Sequence, residues 1–180
     1  MMKHVCGTAK TRVEPVDDKM VQPNAIDLRV KAIYKPVPGT FRLMGDKKEH
    51  LTRQEIKPEV ITKDEAVFTL TSGVYLVEFE QIVTMGEKEA GVVLSRSTLM
   101  RNGVWMTTCL YDSGYHGKMI SGLHVPEGVT FVFPKGERLA QFIVMDAESL
   151  HQYHGSYQEP VSEAPEDPKF NSGDFFKTIV

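Results

Sequence analysis

The residues best suited to chemistry crowd between Leu94 and Gly117, where Arg96, Arg101, a run of serines and threonines, Asp112, Tyr115 and three glycines lie between two hydrophobic runs. Arg96-Ser97-Thr98 leads a turn and offers an anion a fork of N–H donors, two hydroxyls and backbone amides. A phosphate chain is the anion that such a set matches best. Asp112 follows as an acid able to hold a water or a sugar hydroxyl. Tyr115 presents a face that can stack on a ring, while Gly114 and Gly117 let backbone approach a ligand closely. Serine, aspartate and glycine are also what a solvated hairpin uses, so composition alone leaves both readings standing.

Strands must carry these residues. Upstream, Ile26, Leu28 and Val30 alternate with Asp27 and Arg29 after a Pro23-Asn24 turn, which predicts a half-buried strand with an acid and a base on its other face. Asp27 is then expected to pair with Arg29 or to meet a neighbouring subunit. Residues 66–94 read as successive strands rich in β-branched and aromatic residues, broken at Thr71-Ser72-Gly73 and Gly86-Glu87-Lys88-Glu89. Beyond the cluster, strands are expected over Lys118–Val125, Val129–Phe133 and Arg138–Met145. Short strands between Gly/Pro turns indicate an all-β sandwich or barrel. Helix is expected only over Thr98–Asn102 and Asp146–His151. Residues 35–63 read as a loop-rich insertion or a long hairpin, and Trp105 and Met106 read as core.

With 180 residues and 20.3 kDa, one domain can bury a sizeable core without a metal or disulfide staple. A net charge of -3 leaves no basic footprint for nucleic acid. Cys6 and Cys109 stand far apart with no Cys-x-x-Cys pairing, which argues against a structural zinc site and fits a reducing cytoplasm. No signal-peptide core and no apolar run long enough for a membrane helix is present.

Four separated segments between Gln22 and Gln158 resemble the dUTPase and dCTP deaminase superfamily. Gln22-Pro23-Asn24-Ala25-Ile26-Asp27-Leu28-Arg29 is similar to its first motif in the deaminase spelling, and Ser95 to Gly103 to its second. Asp112-Ser113-Gly114-Tyr115-His116-Gly117 resembles the third, and Gly136-Glu137-Arg138-Leu139-Ala140-Gln141 the fourth. The resemblance implies a dUTPase-like distorted jelly-roll β-barrel with one or two short helices, assembled as a homotrimer whose sites are shared between subunits. It implies a pyrimidine deoxynucleoside triphosphate as substrate, with Mg²⁺ carried on the triphosphate and no direct side-chain ligation of the metal. Arg96, Ser97, Thr98 and Gln141 would hold the triphosphate, and Arg101 would add a phosphate or base contact. Asp112 would sit near the sugar 3′-hydroxyl and position the hydrolytic water. Tyr115 would pack beneath the deoxyribose, against a 2′-hydroxyl, and the strand after Gly117 would read the base through its backbone.

Departures from the pattern choose between branches. Deaminases of the superfamily place a glutamate ten residues beyond the motif aspartate, and Gly122 stands there. Deamination needs a group that moves protons between water, ring nitrogen and departing ammonia, which glycine cannot do. The His-x-Glu and Pro-Cys-x-x-Cys signature of the zinc deaminases is absent too. His124, two residues on, is either an ordinary solvated histidine or a substitute proton carrier. Hydrolysis asks only for a positioned water and neutralised phosphates, so cleavage of dUTP to the monophosphate and pyrophosphate leads. A dCTP deaminase, alone or bifunctional, is the alternative, and a non-catalytic regulatory homologue the third. Residues 1–156 are expected to form the barrel. Residues 157–180 form a tail, with Tyr157 and Gln158 as contacts over the site and the remainder as a mobile lid. Arg138 is expected in a structural or interface ion pair, and His116 as a turn residue.

Overall fold

The computed structural model describes residues 1–45, 47–63 and 65–159. Among them the strands are β1 (Met2–Lys3), β2 (Arg12–Glu14), β3 (Ile26–Pro36), β4 (Arg42–Met44), β5 (Lys47–Glu49), β6 (Arg53–Ile56), β7 (Glu59–Thr62) and β8 (Glu65–Leu70). They continue with β9 (Gly73–Thr84), β10 (Glu89–Ser95), β11 (Trp105–Thr107), β12 (Leu110–Tyr111), β13 (His116–Val125), β14 (Phe131–Pro134) and β15 (Arg138–Asp146). Helix α1 spans Ser97–Arg101. The architecture is all-β. A large sheet runs in the order β11-β13-β9-β3-β15-β10-β12, with β1, β2 and β6 branching from β15, β9 and β3, and it curls into half a barrel.

Period-2 alternation decides which face is core. On β9, Tyr75, Val77, Phe79, Gln81 and Val83 are buried, and on β13 so are Met119, Ser121, Leu123 and Val125. The intervening residues of β13 remain half exposed. Side chains alternate across a strand, so the even-numbered residues form a second, outward face. Phe68, Phe79, Phe142, Ile26, Leu28, Ile33 and Leu139 are fully buried in one core. Each fully buried apolar side chain stabilises the fold by roughly 1.5–3 kcal/mol.

Several expectations are corrected. Asp146–His151 is not helical; it leaves β15 as an irregular segment. Residues 35–63 contain the β4/β5 hairpin and two further strands, and β6 joins the main sheet by pairing with the far end of β3. Strand β13 begins at His116, whose Nδ1 lies 2.8 Å from Thr84 Oγ1, so this histidine opens a strand. Burial and the Arg12 charge lower its pKa. Trp105 is 45% exposed, because β11 is the outermost strand of its sheet. Asp27 does not pair with Arg29. It is 1% exposed and binds Arg138 Nη1 at 3.0 Å, while Arg29 reaches Asp17. Arg138 is thereby the structural ion-pair residue expected of it. No helix among the described residues is long and apolar enough to cross a membrane. The expected lid beyond residue 159 lies outside the described residues.

Candidate functional site

The outward face of β9 and β13 floors a cleft of about 470 Å³, lined below by Val74, Leu76, Ile120 and Gly122. Register explains the floor: Tyr34 faces Leu76, Leu76 faces Gly122, and Gly122 faces Thr107, making one row across β3, β9, β13 and β11. Leucine and a bare glycine in mid-row leave a flat apolar shelf. A wall comes from Cys109, Leu110, Tyr111, Asp112 and Tyr115, with the Tyr153 ring packed edge-on against Tyr115, and Arg53 and Tyr157 also line the cleft.

Asp112 is exposed at the rim. The turn that carries it is held from behind. Ser113 Oγ donates to the Glu89 carbonyl at 2.8 Å, Tyr115 N–H to the Asp112 carbonyl at 3.0 Å, and Gly114 takes φ +77, a left-handed value that favours glycine. The same Asp112 borders a second cleft of about 670 Å³ between the β12 turn and Ala147–Gly155. Tyr115 is buried and donates to the Lys118 carbonyl at 2.9 Å. Tyr111 donates to the Ile120 carbonyl at 3.3 Å and accepts from the Ile120 N–H at 3.1 Å. Burial raises both phenol pKa values, so both rings keep their protons at neutral pH. These two tyrosines stitch the backbone of β13 to the wall beside it. Gly117, expected to contact sugar or base, is buried next to the Tyr115 hydroxyl and Glu159.

The described tail runs along this wall. Gln158 Oε1 accepts from His116 N–H at 3.2 Å, its Nε2 donates to the Gly114 carbonyl at 3.2 Å, and Glu159 N–H donates to the His116 carbonyl at 2.9 Å. Tyr157 lies under Lys48 Nζ, 5.7 Å from its ring centre. Burial pushes the Glu159 carboxyl pKa up.

The phosphate-type residues sit elsewhere in the chain. Ser97, Thr98 and Arg101 are exposed on α1, and Arg96 Nη1 donates to the Arg138 carbonyl at 2.5 Å. Gln141 Nε2 donates to Asp27 Oδ1 at 3.0 Å, next to Leu94 in the β10–β15 register. None of these five lines the cleft that holds Asp112 and Tyr115. The two groups of residues therefore lie apart in one chain.

At Gly122 an added Cβ would lie 2.3 Å from Thr107 Oγ1, so the neighbouring hydroxyl fills the space that a longer side chain needs. His124 packs against Trp105, with ring centres 3.9 Å apart and planes tilted by 44°, and does not line the cleft. Sequence reasoning missed most of the lining, polar residues such as Thr107, Lys118 and Arg53 among it. Alternation along β13 could have found Lys118; nothing in the polar text around Arg53 marks it. Among the described residues, no group of three or more His, Cys, Asp and Glu is arranged to hold a metal ion.

The all-β chain thus presents an apolar shelf with an exposed acid at its rim, and an arginine-hydroxyl cluster apart from it. The dCTP deaminase-like family matches residues 2–147, and the chain belongs to that family. It is 33% identical over 151 residues to a probable deoxyuridine 5'-triphosphate nucleotidohydrolase of Halobacterium salinarum, covering 81% of this chain and 87% of the relative. A protein of the same description from Methanothermobacter thermautotrophicus is 32% identical, covering 81% and 92%. A dCTP deaminase of Pyrobaculum calidifontis is 28% identical, covering 87% and 88%. In fold, the chain is similar to the 2'-deoxycytidine 5'-triphosphate deaminase of Agrobacterium tumefaciens, with TM-score 0.55 and 19% identity over 75% of this chain and 42% of that one.

Proposed function

We propose that the protein hydrolyses dUTP to the monophosphate and pyrophosphate. The observation that carries this reading is an exposed Asp112 at the rim of an apolar cleft whose floor has Gly122, with Thr107 against it, where deamination would require a proton carrier. The curated relatives described as probable dUTP nucleotidohydrolases support it.

In this reading the pyrimidine lies on Leu76 and Gly122, and the deoxyribose on Tyr115. Asp112 orients a water for in-line attack on the α-phosphorus; the bond to the β-phosphate oxygen breaks and pyrophosphate leaves. Positioning and charge neutralisation supply most of such a rate. Mg²⁺ would arrive on the triphosphate and neutralise its charge, and Asp112 is a hard oxygen donor that suits its surroundings. Arg96, Ser97, Thr98 and Arg101 bind the phosphates. Gln141, through its bond to Asp27, holds the strand beside them. Because these groups lie off the Asp112 cleft of their own chain, the complete site is built from neighbouring subunits of a homotrimer. Tyr157 and Gln158 cover the nucleoside end.

The test is to incubate the protein with dUTP or dCTP and Mg²⁺ and to follow pyrophosphate and ammonia. Pyrophosphate from dUTP without ammonia from dCTP is expected. Ammonia would revive the deaminase, and nucleotide binding without either product would leave a regulatory homologue. Asp112→Asn should keep binding and lose about 100-fold or more in turnover, the range for removing a group that directs proton transfer. Unchanged turnover removes Asp112 from the mechanism.

A further inference from the structure

We infer that Tyr111 is a positioning residue for the base: its phenol spans the opening between β12 and β13 and fixes the Ile120 backbone beside the shelf on which the pyrimidine lies. The inference rests on the hydrolase reading above and gives it a residue that acts through the backbone of β13.

Topology is the first argument. The large sheet ends in β11 at one margin and β12 at the other, although these strands are consecutive in the chain. Strand β11 pairs with β13 only over Trp105–Thr107, against Gly122 to His124. Strand β12 pairs instead with β10, where Leu110 faces Val92 and Tyr111 faces Gly91. After Thr107 the chain therefore leaves β13, and the cleft lies in the opening. Cys109, Leu110 and Tyr111 line it from one margin, and Ile120 and Gly122 from the other.

Hydrogen bonding is the second. A strand edge left by its neighbour has N–H and C=O groups in need of partners. At Ile120 one side chain supplies both. The Ile120 N–H donates to the Tyr111 hydroxyl at 3.1 Å, and that hydroxyl donates to the Ile120 carbonyl at 3.3 Å. A phenol from β12 thus stands in for the missing strand.

Rigidity is the third. Tyr111 is 6% exposed, and its ring packs edge-on against Phe142 and Tyr115, with ring centres 5.6 Å and 5.5 Å apart. Burial raises its pKa, so the proton that bonds the carbonyl stays in place at neutral pH. A stiff ring held in the core at one end and on a backbone at the other sets the width of the opening. Ile120 faces Glu78 and Gly122 faces Leu76 in one register, so a shift at Ile120 carries the Leu76–Gly122 shelf with it. Phenylalanine would keep the packing and lose both bonds.

The experiment compares the wild type, Tyr111→Phe and Tyr75→Phe. It measures kcat and KM for dUTP, equilibrium binding of the products dUMP and pyrophosphate, and amide hydrogen exchange at Ile120. Tyr75 is the control: it is buried, its hydroxyl donates to the Thr71 carbonyl at 2.9 Å, and it does not line the cleft. Tyr111→Phe should raise KM for dUTP and Kd for dUMP about tenfold, as expected when a backbone pair loses its partner. Pyrophosphate binding and kcat should stay unchanged, the pattern of binding lost equally from ground and transition states. Exchange at Ile120 should quicken about tenfold. Tyr75→Phe should move none of these. Unchanged exchange at Ile120 or unchanged dUMP binding in Tyr111→Phe overturns the inference. Equal weakening of dUMP and pyrophosphate, or the same losses in Tyr75→Phe, overturns it too, since either would mean a general loosening of the fold. A wild type that binds dUMP without hydrolysing dUTP sinks the hydrolase reading alone, and dUMP binding then still decides for or against Tyr111. A wild type that does not bind dUMP removes the base pocket and this inference with it.

Discussion

Replacing Glu89 with glutamine perturbs one group whose energetic weight can be worked from the structure. Glu89 is 1% exposed at the start of β10. Its Oε1 accepts from Lys3 Nζ at 3.0 Å and Lys10 N–H at 2.9 Å, and its Oε2 from Thr11 N–H and Thr11 Oγ1, both at 2.7 Å. Burial alone would raise its pKa, yet these donors together bring it down to about 2 from 4.5. A carboxyl held that far below its unfolded value stabilises the fold by about 3 kcal/mol when ionised. The stabilisation is complete above the unfolded pKa of 4.5 and fades as pH falls toward about 2. By pH 3 about 2 kcal/mol of it should be gone. Glu89→Gln puts an NH₂ group among donors and should cost about 3 kcal/mol at pH 7. Urea unfolding of both proteins at pH 7, 5 and 3 gives the gap directly; it should stay constant from pH 7 to 5 and shrink by about 2 kcal/mol at pH 3. A gap equally wide at pH 3 and pH 7 would refute the assignment. The consequence reaches the cleft, because the Glu89 carbonyl anchors Ser113 behind Asp112.

Gly122→Glu should lower thermal stability by about 1–3 kcal/mol through overpacking against Thr107, whose Oγ1 lies 2.3 Å from the new Cβ. Adding Thr107→Ala should recover at least half, measured by thermal melts, and no recovery would mean that another contact closes the site. Arg96→Ala and Asp112→Asn should each be inactive alone, while mixed and reassembled subunits should regain about a quarter of wild-type turnover, since random mixing completes that share of shared sites. Mixtures as inactive as their parents would put both groups in a site within one chain.

Legibility tracked how local each signal is. The β-branched and aromatic richness of Val74 to Val83 made β9 readable, because strand propensity belongs to a single stretch of chain. The short helix after Arg96 was readable to within a residue. Asp146–His151 failed because a run of helix-tolerant residues carries no information about what it packs on.

The sequence by itself determined the β class, the motif residues Arg96 to Gln141, and the missing proton carrier at Gly122, since residue identity and spacing need no partner to be read. Tertiary structure decided the rest. It paired Asp27 with Arg138 instead of Arg29, put Thr107 over Gly122, and brought Arg53 from a polar stretch to the lining of the cleft. Each of these depends on register between strands distant in sequence, and register is set by burying whole faces together.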